Sequence, residues 1–481
     1  MYAGCYEAEH EEKALTRPLH QHVFECNTWV WLTRLSRQQS RNVTLGDIDD
    51  AEWDRLASLG MDAIWLMGVW QRSPAARAEA LLPEHHESYD QALPGWTPDD
   101  VSGSPYAVYR YTVDDRFGGR EGLAIARRAL ADRGIKLFLD FVPNHVAPDH
   151  PLLEKYPALF LRDRDKFLAG RDPFSAPWQD TVQVNAFSPS LRSLAANTLL
   201  EIASKCDGIR CDMAMLLLNE IFSRTWGDRA GIPPATEYWT DVLKPLRGQF
   251  PDCFVFAEAY WDKEWDLLQL GFDVCYDKRL YDRLVSADVA AIRAHLAAPL
   301  DYQDRLGRFL ENHDEPRAAS IFSPEREKAA AVILFTIPGH RIVFDGQREG
   351  ARIHLPVRLG RAPEEQVDDQ LSEFYAKLIP LAFREGIWMI GGASGWPDNS
   401  TCDRILTWTW QHGTNLFWVI VNYSGTASQA RVRPPQLLPD GQLRLYDQLA
   451  DTEYIRDGAD IADQGLFVSL PPWGYHYFRV E

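Results

Sequence analysis

Two kinds of apolar pattern alternate along the chain. Short runs rich in β-branched and aromatic residues occur at 22–32 (HVFECNTWVWL), 62–70, 136–142, 207–212, 253–260, 272–277, 308–314 and 341–346. Longer stretches with apolar residues every three or four positions lie between them, at 47–60, 121–134, 190–206, 323–339 and 367–386. The short runs predict buried strands and the longer ones helices. Acidic residues open 47–60, and Gly60 and Gly134 stand where two of the helices stop. Strands alternating with helices imply parallel βαβ units, and eight of them predict a closed (β/α)8 barrel of the TIM type rather than an open doubly wound sheet. No GxGxxG turn follows the first strand, which weighs against dinucleotide binding.

Spacing refines this architecture. A barrel unit takes about 30 residues, yet Asp140 and Asp212 lie 72 positions apart. A segment is therefore inserted after the third strand, at 146–187, rich in Pro, Asp and aromatics. A second long loop, 71–118, follows the second strand. After residue 388 the helical pattern ceases, and short alternating runs joined by turns such as HGTN and PDGQ predict an antiparallel β-sandwich with no further helix. The expected organisation is a barrel over 1–388, an inserted subdomain over 146–187 within it, and an all-β domain over 389–481.

Charge and composition narrow the function. The net charge of −19 argues against nucleic acid and anionic membrane surfaces and suits a neutral substrate. The seven cysteines form no CxxC pair and several sit in apolar runs, which reads as a reducing compartment. The first twenty residues, MYAGCYEAEHEEKALTRPLH, lack the apolar core of a secretory signal, and no run approaches the roughly 18 apolar residues of a membrane span. A cytoplasmic location is expected. The oligomeric state is not legible. Seventeen tryptophans serve core packing first, with sugar stacking as the sharper alternative.

Working residues of such barrels sit at the C-terminal ends of the strands. Those ends carry Asp140 with Asn144 and His145, Arg210 with Asp212, Glu258, and Asn312 and His313 with Asp314. Arg210 and Asp212 are two apart and share one strand face, while Ile209 and Cys211 take the other. Several carboxylates at one mouth suit glycoside hydrolysis, where one attacks ionised and another donates a proton. Arg210 is expected to hold Asp212 ionised, and the apolar approach CFVFA is expected to raise the pKa of Glu258. Taken singly, each pair also fits a structural ion pair; four strand ends together do not.

These stretches resemble the α-amylase family of glycoside hydrolases (family 13). DFVPNH (140–145), DGIRCDMA (207–214), FAEAY (256–260) and ENHDEPR (311–317) are similar to the family's four short regions, in order, and GSPYAVYRY (103–111) to the loop with its stacking tyrosine. The resemblance implies a retaining double displacement on α-glucosidic bonds of α-glucans or maltooligosaccharides. Asp212 would be the nucleophile, Glu258 the acid/base and Asp314 the third carboxylate. Tyr106, His145, Arg210 and His313 would bind substrate. Asp140 is expected to organise the mouth. The same residues serve transglycosylases and trehalose- or sucrose-type isomerases and phosphorylases. A non-catalytic carbohydrate-binding relative would be expected to lack carboxylates that this chain retains. A barrel aldolase or phosphate-binding enzyme would need a strand-end Schiff-base lysine or a Gly-rich phosphate loop after strands seven and eight, and acidic residues surround the glycines of PGHRIVFDGQREG.

No cofactor is required by this reading. Calcium remains open through Asn144 and the backbone carbonyl of Leu216, with Asp163, Asp165, Asp172 and Asp180 as further candidates. The chain departs from the family at Met215 and Leu216, where Lys-His is common, and at FDGQREG (344–350) after the eighth strand. The His85–His86 pair reads as loop rather than zinc site.

Overall fold

The computed structural model describes residues 20–481; Cys5 and most of the N-terminal stretch read above lie outside the described residues. Eight parallel strands close a barrel: β1 (His22–Asn27), β2 (Ala63–Met67), β3 (Lys136–Phe141), β4 (Gly208–Cys211), β5 (Phe254–Ala257), β6 (Val274–Tyr276), β7 (Leu306–Arg308) and β8 (His340–Phe344). Closure is the parallel pairing of β1 with β8, His22 opposite Arg341 through Glu25 opposite Phe344.

Period-two alternation places one face of each strand inside. Ala63, Trp65, Met67, Phe138, Phe256, Val274, Tyr276 and Ile342 fill the barrel, whereas Ile64, Leu66, Leu137, Leu139, Ile209, Cys211, Val255 and Val343 pack against the helices. Gly208 and Gly307 are fixed by this filling. A Cβ at either would drive into the ring of Phe138 or Phe256.

Several helices start where a polar side chain caps them. Asp49 accepts from Glu52 N before Asp50–Ser58, and Ser188 and Ser323 cap Pro189–Ala203 and Pro324–Thr336, each with proline in the first turn. The first predicted strand is shorter than the pattern implied. Asn27 caps a helix, α1 (Thr28–Gln39), so TWVWL is helical, and the helix buries Trp31, Leu32 and Leu35. An unbroken apolar run fits either structure, and the cap decides. Likewise β7 ends at Arg308, and Glu311–Asp314 lie beyond its hydrogen-bonded ladder.

The loop after β2 is structured. Trp70–Arg72 pairs with Val108–Val113, and Pro74–Ala80 and His86–Ala92 are helices. His85 and His86 therefore sit at a helical junction, not in an open loop. The segment after β3 holds short two-stranded ladders around Leu153, Leu159, Phe160, Val182, Val184 and Leu191.

From Ile387 onward, a six-stranded and a three-stranded antiparallel sheet enclose a second core of Trp418, Ile420, Val432, Leu445 and Phe478. The expectation of no helix here fails. Asp457 caps Gly458–Gln464 by accepting from Ala459 N and Asp460 N, and Gly465 follows in a positive-φ conformation. This unit is held to the barrel by Trp410 Nε1 donating to Thr336 O at 2.6 Å and Tyr477 Oη to Leu381 O at 2.7 Å. Among the described residues six cysteines are free, five of them buried, and no helix is long and apolar enough to cross a membrane.

Candidate active site

The barrel mouth is organised around one guanidinium. Arg210 points inward from β4 and is 1% exposed. A cage of rings surrounds it, with its Cζ 5.1 Å from the Trp65 and Tyr106 ring centroids and 5.9 Å from Tyr276. Its Nη1 donates to Asp212 Oδ1 at 2.8 Å and its Nη2 to Glu258 Oε2 at 2.6 Å, with Asp140 Oδ1 3.6 Å away. One cation thus holds two carboxylates from adjacent strands in a fixed relation.

Asp140 is satisfied by the scaffold. Its carboxylate accepts from Trp65 Nε1 at 3.1 Å and Gly68 N at 2.9 Å, and its carbonyl from Trp70 Nε1 at 2.7 Å. Asp212 differs: only Oδ1 accepts a hydrogen bond among the described residues, which leaves Oδ2 free. Glu258 Oε2 also accepts from Met213 N at 2.6 Å, and Oε1 from Tyr260 Oη at 2.8 Å. Met213 reaches Glu258 because its backbone is left-handed, φ 42° and ψ 46°, an uncommon state for an unbranched non-glycine residue.

Burial acts on both carboxylates against the pull of Arg210. Asp212 is pushed up to about 6 and Glu258 to about 7. Arg210 therefore does not hold Asp212 low by itself, as the sequence had implied, because it is shared and desolvation outweighs it. The order of the two groups, Glu258 above Asp212, is the one acid–base chemistry needs.

Asp314 and His313 form a second pair. Burial opposes charge on His313, but Asp314 at 3.0 Å from Nε2, with Glu25 against Nδ1, raises it well above an ordinary histidine. For Asp314, burial would raise the pKa, yet its side chain is 46% exposed and the charge on His313 prevails, drawing it down to about 2. Tyr106 Oη meets His313 Nε2 at 2.7 Å, with the two rings 5.3 Å apart. His145 packs edge-on to Trp178 at 5.3 Å, and burial lowers it to about 4, so it is neutral. The mouth thus gathers Asp212, Glu258, Asp314, Tyr106, Arg210 and His313, with His145 on its rim.

Sequence reasoning missed several contributors. Glu25, 0% exposed on β1, orients His313; a lone acid in the apolar strand HVFECN carries the same signal as Arg210 in β4. Tyr260 follows Glu258 by two and was passed over as an aromatic. Met215 and Leu216 lie in a turn, Ala214–Leu217, whose side chains are all buried in the helix-facing core.

The side chains named for calcium have protein partners or are exposed. Gln183, 0% exposed, places Nε2 2.9 Å from Asn144 O, 3.0 Å from Asn144 Oδ1 and 3.2 Å from Val184 O, so an amide already meets these oxygens. Asp180 faces Arg358 at 3.2 Å, Asp172 accepts from Phe174 N and Ser175 N, and Asp163 and Asp165 are exposed. Glu79, Glu84 and His85 cluster elsewhere, where His85 Nε2 meets Glu79 Oε1 at 2.9 Å and Arg358 supplies the countercharge.

A closed parallel barrel thus brings carboxylates just past β4 and β5, and a third beyond β7, to one mouth, and comparison with known proteins shows which chains share this fold. The family described as alpha amylase, catalytic domain, matches residues 36–175. The alpha-amylase MalA of Haloarcula japonica is 26% identical over 62% of this chain and 40% of its own length. The cyclomaltodextrinase of Geobacillus thermopakistaniensis is 22% identical over 89% of this chain and 69% of its own. The chain thus spans well under two thirds of MalA. A maltogenic alpha-amylase, AmyB from Thermotoga neapolitana, superposes with a TM-score of 0.69 at 18% identity, covering 96% of this chain and 99% of that one, a likeness of fold. Over residues 36–175 the chain is similar to the catalytic domain of the α-amylase family, and the curated relatives it matches are α-amylases and a cyclomaltodextrinase.

Proposed function

We propose that this chain is a retaining glycosidase acting on α-glucosidic bonds of α-glucans or maltooligosaccharides. The observation that carries the reading is the Arg210 bridge, which fixes Asp212 and Glu258 on one guanidinium, with burial raising both and Glu258 remaining above Asp212. Such a bridge suits the roughly 5–5.5 Å carboxylate separation of retaining enzymes.

In this mechanism Asp212 Oδ2 attacks the anomeric carbon as the bond to the leaving oxygen breaks. Glu258 gives its proton to that oxygen. Ionised Glu258 then takes a proton from water, whose oxygen attacks the same carbon and releases Asp212. Five acidic side chains (Glu25, Asp140, Asp212, Glu258 and Asp314) face two cations, Arg210 and His313, so the mouth favours the positive charge that develops on the sugar. Asp314 and His313 are assigned to hydroxyls of the same ring, Tyr106 to its face and His145 to its rim. No cation is assigned to the Asn144 site.

Asp212→Asn removes the nucleophile with no change of volume. Turnover of maltooligosaccharides should fall by about 10⁴ or more, with circular dichroism unchanged; retention of most of the activity overturns the mechanism.

A further inference from the structure

The segment between β8 and the helix Asp369–Leu378 contains no helix or strand, yet it is anchored along its length. It starts at the end of β8 and passes the β7 loop, where His354 Nε2 meets His313 O at 3.0 Å. It then docks on the loop after β2. Ser102 N donates to Arg358 O at 2.8 Å, Gly360 N to Asp100 O at 2.7 Å, and Val101 and Leu359 form a β-bridge. Leu359, 0% exposed, fills a socket of Ala80, Tyr89, Leu93 and Val101. Arg361 grips Asp100 with two hydrogen bonds, and Arg358 reaches Asp180 in the segment inserted after β3. Around the barrel the strands run 8-1-2-3, so this strap crosses the end of β1 and ties β8 to the loops of β2 and β3. It docks a few residues before Tyr106 and touches His313, directly behind the residues assigned to the sugar ring.

The opposite side of the mouth is different. Beyond Glu258 and Tyr260 come Trp261 and Asp262, both with positive φ. Phe174, 70% exposed, stands edge-on to Trp261 at 5.0 Å. In the mechanism proposed above, the leaving group lies on the side of the proton donor Glu258, and so towards half-buried Trp261 and exposed Phe174. In the same mechanism the far end of the attacked sugar lies on the other side, where His313 meets the strap through His354. A chamber of about 840 Å³ lies behind the strap against α1, but of the residues assigned to sugar only His313 borders it.

We propose that the strap closes the donor side after a single sugar, so that the chain attacks ends: it removes one terminal sugar at a time from the non-reducing end, with the rest of the oligosaccharide lying along Trp261 and Phe174. This deepens the glycosidase reading and rests on it. No new chemistry is invoked; the wall decides which bond reaches Asp212.

The test compares maltopentaose, intact and with O4 and O6 of its non-reducing terminal sugar bridged by an ethylidene group, using the full chain. Glucose should be the first product from the intact chain, and the blocked one should be cleaved at least about 100-fold more slowly in kcat/KM. In Arg358→Ala/Arg361→Ala, which loosens the strap, cleavage of the blocked chain should rise at least about tenfold. Phe174→Ala should raise KM for intact maltopentaose more than that for 4-nitrophenyl α-glucoside, whose leaving group is a single ring. Comparable cleavage of both chains by the unaltered protein, or longer first products, overturns the inference while the glycosidase reading stands. Failure to cleave either chain, with Asp212→Asn indistinguishable from the parent, overturns both.

Discussion

The two shifted carboxylates make the pH dependence of activity a sharp test. Attack requires Asp212 ionised, and its pKa near 6 places an acid limb there; proton donation requires Glu258 protonated, and its value near 7 places an alkaline limb one unit higher. With those midpoints the active protonation state reaches only about 60% of molecules, near pH 6.5, and falls to about 9% at pH 5 and pH 8. kcat/KM on maltooligosaccharides should thus follow a narrow bell, with about one sixth of the maximum at either pH. The limbs belong to the pair, since Arg210 joins them. Glu258→Gln should remove the alkaline limb and cost between about 10² and 10⁴ in kcat/KM on a sugar leaving group. The same variant should lose far less on 4-nitrophenyl α-glucoside, whose leaving oxygen needs little protonation, and azide should accelerate its turnover by attacking without a base. A flat profile from pH 5 to 8, or equal losses on both substrates, would refute the assignment of Glu258 as proton donor.

Other expectations concern the scaffold. Asp277, 1% exposed, lies 2.9 Å from His295 Nε2 and 3.2 Å from Arg308 Nη1. Burial opposes its charge, but the His295 hydrogen bond and the Arg308 guanidinium hold it at about 2. Its folded pKa is below the unfolded value, so its stabilisation is present above about pH 4 and is lost as pH falls towards 2. Asp277→Asn should cost about 3–5 kcal/mol at pH 7, with a smaller deficit at pH 3, by urea unfolding; a change below about 0.5 kcal/mol at pH 7 refutes the pairing. Gln183→Ala should cost about 2–4 kcal/mol by leaving buried carbonyl oxygens without a donor. Calcium should not restore that loss, and a chelator should leave the melting temperature of the parent chain unchanged. Glu25→Gln removes the charge that orients His313, and should lower kcat/KM by about 10- to 100-fold while CD stays the same; full activity would show that Glu25 does not position the imidazole.

Local pattern determined much of this protein. Period-two runs and capped helices specify eight βα units, because strand and helix periodicities are properties of adjacent residues. The 72-position gap between Asp140 and Asp212 forces an insertion after the third strand whatever its shape. Arg210 and Asp212 share a face because a strand turns over every residue. Pattern failed where one side chain decides, as at Asn27, whose cap converts TWVWL to helix, and at Asp457, which starts a helix in an otherwise all-β unit.

The rest needed the closed barrel. The bond from Glu25 to His313 joins residues 288 positions apart, and the bond from Arg210 to Glu258 joins β4 to β5. Whether burial or the guanidinium sets the Asp212 pKa is a contest of desolvation against distance, and neither is encoded locally. Gln183 meets the oxygens of Asn144 only because the inserted segment folds back on the third strand. The strap is the extreme case: residues without secondary-structure pattern take their shape from Asp100, Val101 and Asp180, and so decide which bonds the mouth admits.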